Sequence, residues 1–329
     1  MIGNLQILRA FAASGVVVYH TNAVIAGVHT EFHGVALFFV LSGYLMCKIS
    51  DRSALDFARD RIWRIVPNYW VSMAALLTIF TMWTYWPLEH TLLSAFFIPH
   101  ASIAGLFPVL GVGWTLNLEM YFYAVFTLSI IINQSKAPII AGAIILALMG
   151  GLPYITGNKA ILYYYTHGYV KYFVFGIAIW YISEWIKSKY TTLRLPFWTF
   201  PVSLSAYVAA TLYAVNPVFA VPSLFMAAIL ASNSCADLKP RAIMLMGDAS
   251  YSCYLLHTIF IEFLRHTGIA INGTFLCSLG ILIGSWVIAI IWHIYIEENV
   301  SILRHRTSRK SLKANILYLL NRAIPASRS

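Results

Sequence analysis

Arg9 and His20 stand eleven residues apart in the otherwise apolar stretch LRAFAASGVVVYH, which carries no other ionisable group besides Tyr19. Eleven residues is close to three helical turns, so on a helix the two side chains share a face, separated by about 16 Å along the axis. An imidazole titrates near neutrality and can take a proton from a hydroxyl or act as a nucleophile; a guanidinium is a fixed cation suited to an anionic ligand. One segment therefore offers an anion-binding end and a chemical end. A third ionisable residue, Glu119 in GWTLNLEMYFY, is again set in an apolar run, with Trp114, Asn117 and Tyr121 close to it along the helix. In GDASYSCYLLH, Ser250, Tyr254 and His257 recur at i, i+4 and i+7, which puts a hydroxyl, a phenol and an imidazole on one helical face.

A second cationic cluster lies in DFARDRIWRIVPNYW, where Arg61 and Arg64 are three residues apart and Arg59 is adjacent. The spacing suits a short helical segment at a membrane surface, and a basic loop of this kind ordinarily serves as an anchor. Paired guanidinium groups also form bidentate clamps on phosphate, which anchoring does not require. A lone histidine in a helix bundle is more often a packing or interhelical hydrogen-bonding group than a catalyst. That plain reading is kept for His293, which sits beside Glu297 and Glu298. For His20 the cation on the same face tips the balance, and Glu119 at bilayer depth demands a partner.

The elements that must hold these groups are membrane helices. The chain of 329 residues is 60% hydrophobic and only 10% charged, a composition that excludes an ordinary soluble domain. Apolar runs of spanning length recur near 7–26, 34–50, 68–86, 113–133, 137–155, 168–186, 197–214, 217–235, 248–265 and 274–296, which predicts about ten transmembrane helices. Pro153, Pro201 and Pro222 blur three of these runs. With both termini cytoplasmic, all but Lys159, Lys171 and Arg265 of the 22 Lys and Arg residues fall on the inner side, as the positive-inside rule requires. The net charge of +10 then reflects orientation and attraction to anionic lipid, with no nucleic-acid role. The first run is read as a helix and not as a cleaved signal, because its removal would break the inside–outside count. Cys47, Cys235, Cys253 and Cys277 are scattered, without metal or redox spacing, and no metal site is expected. The expected organisation is an all-α polytopic membrane domain over 1–300, followed by a basic cytoplasmic tail over 301–329, either lying on the inner leaflet through its ANILYLL patch or disordered and solvated.

Five segments, in order, resemble the integral-membrane acyltransferase family 3, bacterial enzymes that O-acylate polysaccharides and related glycans. They are LQILRAFAASGVVVYH, GVALFFVLSGYLM, RIWRIVPNYW with its R-x-x-R, GWTLNLEMYFY and GDASYSCYLLH. The wording of the last two is most similar to the branch associated with exopolysaccharide production. The resemblance implies ten helices in the bacterial cytoplasmic membrane, acetyl-CoA as co-substrate with no permanently bound cofactor, and a glycan hydroxyl as acceptor. It implies that His20 is the essential catalytic residue and that Arg9, Arg61 and Arg64 serve the acyl-CoA donor. On this reading His20 is a general base, or alternatively carries the acyl group. Glu119 would orient His20 or bind sugar hydroxyls. His257 with Tyr254 would steady the oxyanion or the acceptor, while Trp114, Asn117, Tyr121 and Ser250 line the acceptor site. The alternatives are a transporter or flippase for a lipid-linked glycan and a structural partner in an export complex. A transporter would be expected to carry paired half-helices and internal pseudo-symmetry, and neither is visible in the sequence.

Overall fold

The computed structural model describes residues 3–25, 28–29, 33–102, 105–190, 195–196, 198–213, 216–233 and 240–299. The 301–329 tail and Cys235 lie outside the described residues. The elements run α1 (Gly3–His20), a small antiparallel hairpin β1 (Val24–Ile25) and β2 (Val28–His29), α2 (Gly34–Lys48), α3 (Ala54–Phe80), α4 (Leu88–Ala95) and α5 (Trp114–Ile132). They continue with α6 (Ala137–Ile155), α7 (Lys159–Tyr165), α8 (Lys171–Lys189), α9 (Thr199–Leu212), α10 (Pro217–Asn233), α11 (Arg241–His266) and α12 (Phe275–Trp292), which widens into a π turn over His293–Glu297. Each of the ten apolar runs overlaps one helix, with the first running on past His20 and the third past Phe80, and α4 and α7 are short additions in the connecting segments.

Among the described residues, three helical stretches are long and apolar enough to cross a membrane by length and composition alone: Gly111–Ile132, Gln134–Ile155 and Phe275–Glu297. Helices α1, α3 and α11 fall short because they carry Arg9, His20, Arg61, Arg64 and Asp248, the polar groups from which the site is built. The outer surface is apolar. On α12 the exposed side chains Leu276, Leu279, Ile283, Val287, Ile291 and Ile294 recur at helical spacing, a stripe that water would penalise and lipid would accept.

Close backbone approach sets the framework. A Cβ at Gly43 would stand 2.1 Å from the Phe173 carbonyl oxygen, and one at Gly176 would stand 2.2 Å from that of Val40. Only glycine permits α2 and α8 to cross so tightly, the small-residue packing that replaces hydrophobic drive in lipid. Helix α1 lies against α2, α11 and α12, so its residues are enclosed on most sides.

One sequence expectation changes here. Arg61 and Arg64 are not on a separate surface helix; they lie within α3, which begins at Ala54 and runs unbroken through Pro67. Ser53 caps the start by accepting a hydrogen bond from the Asp56 backbone N–H, and Asp56 sits in the first turn, where a carboxylate favours the helix dipole. The arginines are therefore held rigidly.

Candidate active site

Two cavities lie back to back in the bundle and share Val35 and Tyr254 as a common wall. The first is a narrow cleft of about 70 Å³ lined by Arg9, Arg61, Arg64, Glu119, Ser250 and Tyr251, among others. The second is wider, about 390 Å³, and is lined by His20, Trp114, Tyr163, His167 and Tyr169, among others. The residues that line the first include three guanidinium groups and one carboxylate, an excess of positive charge. The second has no Lys, Arg, Asp or Glu among its described lining residues. Charge is thus segregated across the shared wall.

In the arginine cavity each cation is placed differently. Arg9 Nη1 donates to Gln6 Oε1 at 2.9 Å, and Gln6 Nε2 in turn donates to Asp248 Oδ1 of α11, so α1 and α11 are tied across their interface. Arg61 is buried, 7% exposed, with its guanidinium 5.9 Å from the Tyr123 ring centroid, within cation–π range. Arg64, one turn on, is exposed. Glu119 Oε1 accepts from Ser42 Oγ at 3.0 Å and from the Tyr123 hydroxyl at 2.5 Å.

This corrects the expected role of Glu119. It belongs to the arginine cavity and does not orient His20. The cause is helical phase: Thr115, Glu119 and Tyr123 recur every four residues on the α5 face turned to that cavity, whereas Trp114, at the helix start, reaches the other. Asn117 and Tyr121 fall on a third face and line neither cavity. Asn117 is buried, and the Tyr121 ring packs 4.7 Å from that of Tyr165 on α7.

In the histidine cavity, His20 Nδ1 lies 2.9 Å from the Val16 carbonyl oxygen and 3.2 Å from His257 Nε2. His257 is fully buried behind His20 and is not part of the cavity wall, so it cannot touch an acceptor or an oxyanion there. Ser250 and Tyr254 do share the expected face, but Ser250 opens on the arginine cavity and its hydroxyl donates back to the Gly247 carbonyl. Tyr254, with Val35, lines both. Its hydroxyl is 2.7 Å from Thr115 Oγ1 and donates to the Val112 carbonyl at 3.1 Å, pinning the wall to the start of α5.

The opposite side of the histidine cavity is an aromatic platform, of which the sequence reading named Trp114 and missed His167 and Tyr169. Trp114 stands 5.0 Å from the His167 ring and 5.9 Å from that of Tyr169, and His167 and Tyr169 are stacked at 5.3 Å with 7° between their planes. His167 Nδ1 accepts from the Tyr169 backbone N–H, so its ring proton is carried on Nε2. The signal was present in YYYTHGYV, an aromatic run too polar for a membrane core. Gln6 and Asp248 were likewise visible as polar breaks in apolar helices. His293, kept as a structural group, bonds Glu297 Oε2 at 2.9 Å, and Ser252 donates to the same oxygen at 2.6 Å.

Among the described residues no group of three or more His, Cys, Asp or Glu side chains could hold a metal ion. Residues 2–292 match the family model of an acyltransferase domain, acyltransferase family 3. The chain is 34% identical over 259 residues to the exopolysaccharide production protein ExoZ of Rhizobium meliloti (strain 1021), covering 73% of this chain and 79% of that protein. It is 25% identical over 305 residues to the O-acetyltransferase OatA of Staphylococcus aureus (strain NCTC 8325 / PS 47), covering 78% of this chain and 50% of the relative. This chain thus spans about half the length of OatA. No solved structure matches.

Proposed function

Because the chain belongs to acyltransferase family 3 and is therefore an O-acyltransferase, we propose that it moves an acetyl group from acetyl-CoA to a hydroxyl of a cell-surface or exported polysaccharide, or of its lipid-linked precursor. The observation that carries this reading is the pair of abutting cavities, one ringed by arginines and the other holding His20, with only Val35 and Tyr254 common to both. Coenzyme A has the complementary shape: an anionic nucleotide at one end and a thioester at the end of a long arm. Arg9, Arg61 and Arg64 hold the phosphates from the cytoplasmic side, and the arm passes Tyr254 toward His20. The rise of about 16 Å from Arg9 to His20 along α1 suits an arm of that length.

The acceptor enters the histidine cavity from the opposite face of the membrane. A sugar ring stacks on Trp114 and Tyr169, and His167 Nε2–H donates to a ring hydroxyl. His20 takes the proton of the attacking hydroxyl as its oxygen bonds to the thioester carbonyl carbon. The tetrahedral intermediate collapses with cleavage of the C–S bond, and the proton passes from His20 to the departing thiolate. The bundle lies in the bacterial cytoplasmic membrane with ten spans and both termini inside, a topology supported by the charge distribution and the lipid-facing stripe of α12. Purified protein incubated with radiolabelled acetyl-CoA and cell-surface glycan extracts should yield labelled glycan that alkali releases as acetate. Label that never leaves coenzyme A, with a folded protein and a glycan fraction from the producing cells, would overturn the proposal.

A further inference from the structure

His257 was expected to touch the reacting groups, yet it is 0% exposed and lies behind His20. Its two ring nitrogens have unequal partners. Nδ1 is 3.1 Å from the Cys253 carbonyl oxygen, and Nε2 is 3.2 Å from His20 Nδ1. A carbonyl only accepts, so in the neutral ring the proton of His257 sits on Nδ1 and its Nε2 presents a lone pair. His20 Nδ1 faces that lone pair and, at 2.9 Å, the Val16 carbonyl oxygen. Both of its partners are acceptors, so the proton of His20 is held on Nδ1. His20 Nε2 is then the unprotonated nitrogen, and it is the one with no hydrogen-bond partner among the described residues, on a ring that lines the cavity.

We infer that His257 is a positioning residue: through its Nε2 it fixes the tautomer and the ring angle of His20, so that His20 Nε2 meets the acceptor hydroxyl as a base. The inference rests on the proposed role of His20. The Val16 carbonyl belongs to the same helix turn as His20 and cannot by itself choose the ring's rotation. His257 comes from α11 and adds the second point that does, with the two ring centroids 4.9 Å apart and their planes 61° apart. In proteins that orient a catalytic histidine with a carboxylate, the partner also supplies negative charge. A neutral imidazole supplies direction alone. When His20 Nε2 accepts the substrate proton, the Nδ1–H bond is already made, and no further proton needs to move.

Two variants separate direction from packing. His257→Phe keeps an aromatic ring of similar size but removes the acceptor, and His257→Gln returns a side-chain oxygen at nearly the reach of Nε2. In acetyl transfer from acetyl-CoA to the native glycan fraction, His257→Phe should lower kcat on the order of a hundredfold with an unchanged KM for acetyl-CoA, as loss of alignment does. His257→Gln should recover most of that loss. The tautomer is read directly by nitrogen NMR of ¹⁵N-histidine-labelled protein, with the His20 signal assigned by its loss in His20→Ala. Wild-type His20 should be protonated on Nδ1, and His257→Phe should give a mixture. That measurement on wild-type protein stands even if a variant fails to fold: a His20 protonated on Nε2 overturns the inference, as does His257→Phe with normal kcat. If His20→Ala itself keeps turnover, the base role fails instead, whatever His257 does.

Discussion

Replacing Arg61 and Arg64 by lysine, singly and together, distinguishes a phosphate clamp from a membrane anchor, and the structure gives the two positions different weights. An anchor needs only charge, and lysine supplies it, because the positive-inside rule counts Lys and Arg alike. A clamp needs the planar fork, which lysine lacks. Arg61 is buried at the cavity wall against Tyr123, so loss of one charge-assisted contact there should cost about 1.5–3 kcal/mol, or roughly tenfold to a hundredfold in the KM for acetyl-CoA. Arg64 is exposed at the cavity, where screening holds such contacts below about 1 kcal/mol, less than about sixfold. The two are one turn apart and line the same cavity, so the double variant need not show the product of the single effects. The assay is initial-rate transfer at varied acetyl-CoA, with free coenzyme A as competitor and membrane levels checked by immunoblot. Coenzyme A inhibition should weaken in parallel, since the lost contact lies on the nucleotide. An unchanged KM in both single variants, or a larger effect at Arg64 than at Arg61, would refute the reasoning.

Three further outcomes follow from the same geometry. In a cysteine-free variant, Ser102→Cys should be labelled by a membrane-impermeant thiol reagent in intact cells and Ser50→Cys only after lysis; labelling of Ser50→Cys in intact cells would reverse the topology. His20→Ala should abolish transfer while acetyl-CoA binding, followed by calorimetry, stays within about threefold, because the imidazole lies in the other cavity from the arginines. His90 on α4 offers a stability readout away from the reaction: its Nδ1 meets His100 Nε2 at 2.7 Å, its Nε2 is buried without a partner, and burial together with His100 holds its proton affinity below the ordinary value of 6.5. The unfolded chain then binds the extra proton more readily, so this contribution is complete above pH 6.5 and is lost as the pH falls below it; Tm should drop toward pH 5.5, and His90→Gln should flatten that slope.

The sequence revealed most about the helices and least about which wall each polar residue joins. Apolar runs pointed to where the longer helices lie, although among the described residues only three helical stretches reach spanning length and apolarity, and the Arg9–His20 spacing survives as one face of α1 opening on two cavities in turn. Residues on α5 could not be sorted in the same way. Trp114, Asn117, Glu119 and Tyr121 are close in sequence, but at 100° per residue they point to different neighbours, and the neighbours come from α2, α7 and the segment between α7 and α8. The role of His257 was hidden for a related reason. Its helical phase put it with Ser250 and Tyr254, whereas its ring is claimed by His20 from a helix 237 positions away in the chain. Surface-helix reasoning placed Arg61 and Arg64 too far from the core, since a cap at Ser53 draws them into α3.

The segregation of charge also accounts for Glu119. Three guanidinium groups facing one enclosed volume repel one another whenever no anion is bound, and desolvation sharpens that repulsion. A carboxylate fixed by Ser42 and Tyr123 at the same wall offsets part of it, and still leaves the cavity cationic enough to attract a polyanion. Were Glu119 instead beside His20, it would stabilise the imidazolium and so favour a ring already protonated at rest, with no free nitrogen to accept the hydroxyl proton. The partner His257 and the remote carboxylate therefore belong to one arrangement: formal charge is kept in the cavity proposed to take the donor's phosphates, and the cavity proposed to take the acceptor hydroxyl is lined by aromatic rings and imidazoles.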